Sequence, residues 1–164
     1  MVSCAVGAST FVKVRGELLQ QRAAIDAQWT ELNSAIEERA SLIEEFAKAC
    51  GPDAAVLRET QEARAALMSA TTPQARIQAN ARLTTALAHL LVAVDSRPPR
   101  RPNRRLRRLE ESVKDSDAQI AVVRRKYNET LEHYNARLQR FPQNLVARIS
   151  GFTRNDAYFY TEPF

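Results

Sequence analysis

Glycine is scarce in this chain, at 4 of 164 residues, which leaves no glycine-rich phosphate loop and few of the turns an all-β fold needs. Cysteine is scarcer still. Cys4 and Cys50 cannot build a disulfide framework or a cysteine-based zinc site. Both read as free thiols, Cys50 half-buried at a helix end and Cys4 in a mobile terminus. The two histidines, His89 and His133, fall on different expected helices with no second histidine within a turn, so each belongs at the edge of an apolar stripe rather than in a metal site. No run approaches the roughly 20 apolar residues of a membrane span. The first ten residues lack the basic start and long apolar stretch of a signal peptide. The chain as it stands is therefore expected to be soluble.

What is present is helix-forming: alanine, leucine, arginine and glutamate are plentiful, and no run alternates with a period of two. The class expected is all-α, in one domain. The chain is organised around Leu106 to Phe141, where one seven-residue series, Leu106, Val113, Ile120, Tyr127, Tyr134 and Phe141, lines a helical face. Such a helix would be on the order of 55 Å long and needs comparably long partners. The first partner runs from about Val14 to Ala49 on the stripe Leu18, Ile25, Leu32, Phe46 and Trp29, Ile36, Ile43, with Trp29 expected to be buried against the last long helix. Arg39 falls in this stripe where an apolar residue belongs. It either pairs with an acid across the interface or, the commoner reading, lays its stem over the core with its head in water.

Gly51-Pro52 stops the first helix, and Asp53 caps a shorter one to about Ala70. Thr72 and Pro73 then form an N-cap and first helical position for a third segment, to about Asp95. The short break predicts an antiparallel pair, or one kinked helix. The prolines between Arg97 and Pro102 impose an extended loop, with Asn103 as the next N-cap. Beyond Pro142 about two helical turns, 144–149, precede an aromatic tail, Tyr158 to Phe164, expected to dock on the body, with a free recognition tail as the alternative. The expectation is an antiparallel bundle of about four helices, two of them long, with a short C-terminal helical turn and aromatic tail. Residues 1–13 form a flexible N-terminus, and 14–164 form the bundle.

Charge is unevenly placed. Of the formal +5, Arg97, Arg100, Arg101, Arg104, Arg105, Arg107 and Arg108 supply +7, leaving −2 for the rest. This patch is read as a solvated loop, as a surface for anionic membrane lipid, or, third, as a contact for nucleic acid, against which stands the absence of interleaved aromatics. Tyr127 and Tyr134, each followed by an asparagine (Asn128, Asn135), are the nearest thing to a site. Buried phenols want hydrogen-bond partners, and the asparagines could cross-link to facing helices. They lock helix register, or they line a groove for a ligand or peptide; the first is preferred. No serine- or cysteine-centred motif accompanies them, so no enzyme activity, cofactor, metal or small-molecule substrate is expected.

The combination Leu18-Leu19, Arg22, Ile25 and Trp29, then Ile36, Arg39 and Leu42-Ile43, then Ile120, Arg124, Tyr127-Asn128, Tyr134-Asn135, Phe141-Pro142, Asn144-Leu145 and Gly151-Phe152 resembles the LemA family over nearly the whole chain. These are bacterial proteins with a long-helix bundle, usually fixed to the membrane by one N-terminal helix. The chain departs from the pattern in three places. Only a dozen residues precede Val14, too few for that anchor, so this chain lacks one or starts short of it. Glu44-Glu45 replace a usual Pro-Asn, and the Arg-Pro run replaces a Tyr-Pro-and-Lys loop. The resemblance implies that Trp29, Arg39, Arg124, Tyr127, Asn128, Tyr134, Asn135, Phe141 and Pro142 are structural signature residues. It also implies membrane association and supplies no active site, because the family has no agreed activity. The function expected is a non-enzymatic, membrane-associated interaction or scaffold protein with an unknown protein partner. The alternative is a soluble bundle that binds polyanions through residues 97–108.

Overall fold

The computed structural model describes residues 2–96 and 104–160, with side chains from Gly7 onward. Five helices follow in order: α1 (Val2–Cys50), α2 (Ala54–Ser69), α3 (Pro73–Asp95), α4 (Arg104–Arg137) and α5 (Gln143–Ser150). Among the described residues there is no strand, and the fold is an all-α helical bundle. Arg97, Arg100, Arg101, Asn103 and the tail from Thr161 lie outside the described residues, as does the Cys4 side chain.

Local signals set the helix ends. Gly51 takes a left-handed conformation, φ 56°, which a residue with a Cβ adopts only under strain, and Pro52 follows it. Thr72 accepts from the Ala75 N–H at 3.2 Å with Pro73 beside it, the N-cap arrangement its sequence predicts. Asp53 holds the N-cap position of α2 without a side-chain capping hydrogen bond.

The contacts divide the chain into two compact units. The second comprises the described residues between Leu32 and Val122, together with Tyr160. It holds the C-terminal part of α1, the antiparallel pair α2 and α3, and the start of α4. Its core is Ile36, Ile43 and Phe46 of α1, Leu67 of α2, Leu83 and Leu90 of α3, and Val113 and Ile120 of α4, all buried. Arg39 sits among them at 3 % exposure. Its Nε donates to Asp117 Oδ1 at 2.5 Å, and its Nη1 donates to Thr84 Oγ1 at 3.1 Å and Asn80 Oδ1 at 3.5 Å. The stem-over-core reading of Arg39 is thus wrong. The guanidinium stays inside because α3 and α4 both offer it oxygen acceptors, which a buried cation requires.

The first unit combines α1 through Glu31 with Val123–Phe159. Here α1 and α4 run antiparallel, since Glu31 faces Lys126 at 4.0 Å while Glu17 faces Arg137 at 3.5 Å. Leu18, Ile25, Val123, Tyr127, Leu131 and Tyr134 form the core. Three expectations need correcting. Helix α1 begins at Val2, not near Val14, because nothing between them breaks a helix except a single tolerated Gly7. Trp29 is half-buried rather than buried, tilted against Tyr127 with ring centroids 5.6 Å apart. The heptad series stops short of Phe141: α4 ends at Arg137, and Phe141 is 81 % exposed in the following turn. Pro142 explains this, because the residue before a proline is disfavoured in helical conformation.

Candidate functional site

Residues 152–160 follow Gly151, the left-handed cap of α5 (φ 72°), without regular structure, and turn tightly where the Tyr158 N–H donates to the Asp156 carbonyl at 2.8 Å. They run antiparallel along the last turns of α4, and the tyrosine-asparagine echo holds them. Tyr134 donates its hydroxyl to the Thr153 carbonyl at 3.0 Å, and Tyr127 donates to the Ala157 carbonyl at 3.0 Å. Each asparagine grips one peptide residue at both polar atoms. Asn135 Nδ2 donates to the Asn155 carbonyl at 2.7 Å while its Oδ1 accepts from the Asn155 N–H at 2.9 Å. Asn128 does the same with Phe159, at 2.8 and 2.9 Å. A side-chain amide has the donor and acceptor of a peptide group, so α4 offers the tail what a neighbouring strand would offer. Asn135 also donates to the Tyr158 hydroxyl at 3.0 Å, and Asn155 Oδ1 accepts from the Ala157 N–H at 3.0 Å. Ala157 and Phe159 are buried, whereas Tyr160 is 76 % exposed.

The residues of the echo are therefore brought together, but on a different partner from the one their pattern suggested. The asparagines bind the chain's own tail, not facing helices. Phe159 lies in the aromatic tail expected to dock and is buried; Thr153, Asn155 and Ala157 are the members the sequence reading missed. An irregular segment recognised through its main chain leaves no periodic signal. Arg124 is part-buried on the same stretch of α4 and Pro142 is part-buried at the start of α5, while Arg39 belongs to the second unit.

Burial pushes the Tyr127 hydroxyl up to about 12, with the Asp26 carboxylate adding to the effect. Burial raises Tyr134 too, opposed by Arg22. A raised folded-state value means that the folded protein keeps a proton the unfolded chain loses, so this stability is complete below about pH 10 and is lost as the pH rises toward 12. Urea unfolding midpoints should accordingly fall between about pH 9 and about pH 11.5, and Tyr127→Phe should show a shallower fall. An identical pH slope in the variant would refute the assignment.

Other predicted residues lie elsewhere. Arg104, Arg105, Arg107 and Arg108 are exposed on the first turns of α4. His89 Nδ1 lies 2.9 Å from Glu59 Oε1, a partner from α2 that spacing along α3 could not reveal, and both side chains are exposed. His133 is exposed. Among the described residues no group of histidine, cysteine, aspartate or glutamate is placed to hold a metal ion, and no helix is long and apolar enough to cross a membrane.

No curated protein matches the chain. The LemA family profile matches residues 22–163, a span that contains the Tyr127-Asn128 and Tyr134-Asn135 latch, Arg39 and the tail they organise. The match covers nearly the whole chain, which belongs to the LemA family.

Proposed function

We propose that the protein acts by binding and not by catalysis, as a membrane-associated interaction or scaffold module. The observation that carries this reading is where the polar groups of the strongest sequence pattern go. Tyr127, Asn128, Tyr134 and Asn135 all hydrogen-bond the main chain of a segment without regular structure, which is chemistry for holding polypeptide. Full-length protein in bacterial cells should sediment with membranes and, after brief formaldehyde treatment, run as discrete heavier species. Recovery entirely in the supernatant as uncrosslinked monomer would overturn the reading.

One observation favours a second function, polyanion binding through residues 97–108. Four exposed arginines occupy the first turns of α4, with no acid in its first turn, although the helix dipole is positive there and normally attracts negative charge. An anion at this place would offset both. Changing Arg100, Arg101, Arg104 and Arg105 to Ser should then abolish salt-sensitive binding to duplex DNA, whose log affinity should fall with log salt at about −0.9 per phosphate contacted. Absence of DNA binding at low salt would remove this alternative.

A further inference from the structure

The turn after α4 and the helix α5 carry large apolar side chains that the fold does not cover. Val146 and Ala147 of α5 are buried, but Leu145 is 52 % and Ile149 66 % exposed. Four residues apart, these two share a face of the helix. Phe141, 81 % exposed, lies in the turn that leads into α5. An uncovered row of this size on a water-soluble surface marks an interaction site.

The charges around it say what kind. From His133 to Asn155 the sequence holds no aspartate or glutamate, while Arg137, Arg140, Arg148 and Arg154 give +4. Arg137 pairs with Glu17 and Arg154 with Asp156, but Arg140 and Arg148 flank the apolar row and are exposed. The place in the first unit is consistent with docking end-on. The Asn144 N–H donates to the Arg140 carbonyl at 2.8 Å, and the tail beyond α5 first rejoins α4 where Thr153 meets Tyr134, so α5 lies at the C-terminal end of α4. Because α1 and α4 are antiparallel, with Glu17 beside Arg137, the turns of α1 before Glu17 lie at this same end. Val12 there is 70 % exposed.

An apolar helix face flanked by arginines is the design of a helix lying in the interface of an anionic bilayer, with apolar side chains among the acyl chains and guanidinium groups among the phosphates. We infer that α5 and the turn before it dock on an anionic lipid surface through Phe141, Leu145 and Ile149, with Arg140 and Arg148 holding lipid headgroups. The inference rests on the membrane part of the function proposed above and names its surface. It does not involve residues 97–108.

The test uses full-length protein sedimented with phosphatidylcholine vesicles, with and without phosphatidylserine, at low salt. Binding should require phosphatidylserine. Leu145→Ser with Ile149→Ser should weaken it by at least about tenfold, since burying each such side chain is worth a factor of that order. Arg140→Gln with Arg148→Gln should remove most of its salt dependence. All four side chains are exposed, so helix content and thermal melting should not change and loss of fold is not a competing explanation. Binding that survives both double variants but is lost on changing Arg100, Arg101, Arg104 and Arg105 to Ser would overturn the inference. So would concentration-dependent dimers, seen by ultracentrifugation and abolished by Leu145→Ser with Ile149→Ser, in a protein that ignores vesicles. Membrane recovery in cells without vesicle binding would leave the proposed function standing and refute this surface alone.

Discussion

Arg39→Ala should destabilise the second unit by about 3–5 kcal/mol, because it empties the space of a long buried side chain and strips charge-assisted hydrogen bonds from their acceptors. The losses are unequal. Asp117 is 46 % exposed and can turn to water. Asn80 is 3 % exposed and keeps an amide oxygen facing the vacated space. Arg39→Met separates the contributions, since it fills most of the volume without the charge, and it should recover about half of the loss. Arg39→Lys should not recover it, because one ammonium cannot reach acceptors on α3 and α4 with the geometry of a planar fork. Urea unfolding followed by circular dichroism measures all three. An alanine variant within about 1 kcal/mol of the parent would mean that Arg39 contributes no more than an ordinary surface residue.

The second large effect belongs to the latch. Asn135→Ala removes hydrogen bonds to Asn155 N–H, Asn155 carbonyl and Tyr158 hydroxyl, and at about 1 kcal/mol each it should weaken tail docking by about 2–3 kcal/mol. The cost should be local. Hydrogen exchange at the amides of Asn155 and Phe159 should accelerate by about a hundredfold, while amides around Phe46 and Leu83 in the second unit keep their protection. Asn135→Asp retains the acceptor but loses both donors and adds a buried charge, so it should do at least as much damage. Uniform acceleration across both units would show that the latch supports the whole fold; no change at Asn155 would show that the tail is held by Phe159 and Ala157 alone.

Local rules explain which parts of the fold were legible in the sequence. Gly51, Thr72 and Pro73 mark helix ends because their conformational preferences act within a few residues, and the heptad members Val113, Ile120, Tyr127 and Tyr134 are all buried, as the helical period demands. The same arithmetic failed one step later at Phe141, where Pro142 ends what periodicity alone would continue. Arg39 was ambiguous because a long cationic side chain in a stripe is compatible with water or with partners, and its partners Asn80, Thr84 and Asp117 come from helices distant in sequence. That the tail docks was legible in its aromatics, and Phe159 is buried, but its pairing with Asn128 and Asn135 was not, for a related reason: an asparagine that binds a peptide group can bind any peptide group. The cationic surroundings of α5 were hidden by net charge, since assigning +7 to residues 97–108 made the remainder look uniformly weakly acidic.

The latch sets unusual terms for the drift of the tail under mutation. Because Asn128, Asn135, Tyr127 and Tyr134 hold main-chain atoms, exchanges at the exposed positions Arg154 and Asp156 leave those contacts untouched, and the tail can diverge there without a compensating change on α4. The permitted alphabet narrows elsewhere by different rules. Proline is barred at Asn155, Ala157 and Phe159, whose N–H groups are all in use. Size is restricted at Ala157 and Phe159, which are 3 % and 1 % exposed. A tail on the same paired asparagines can thus change most of its side chains and keep its seat, provided proline stays out of positions 155, 157 and 159.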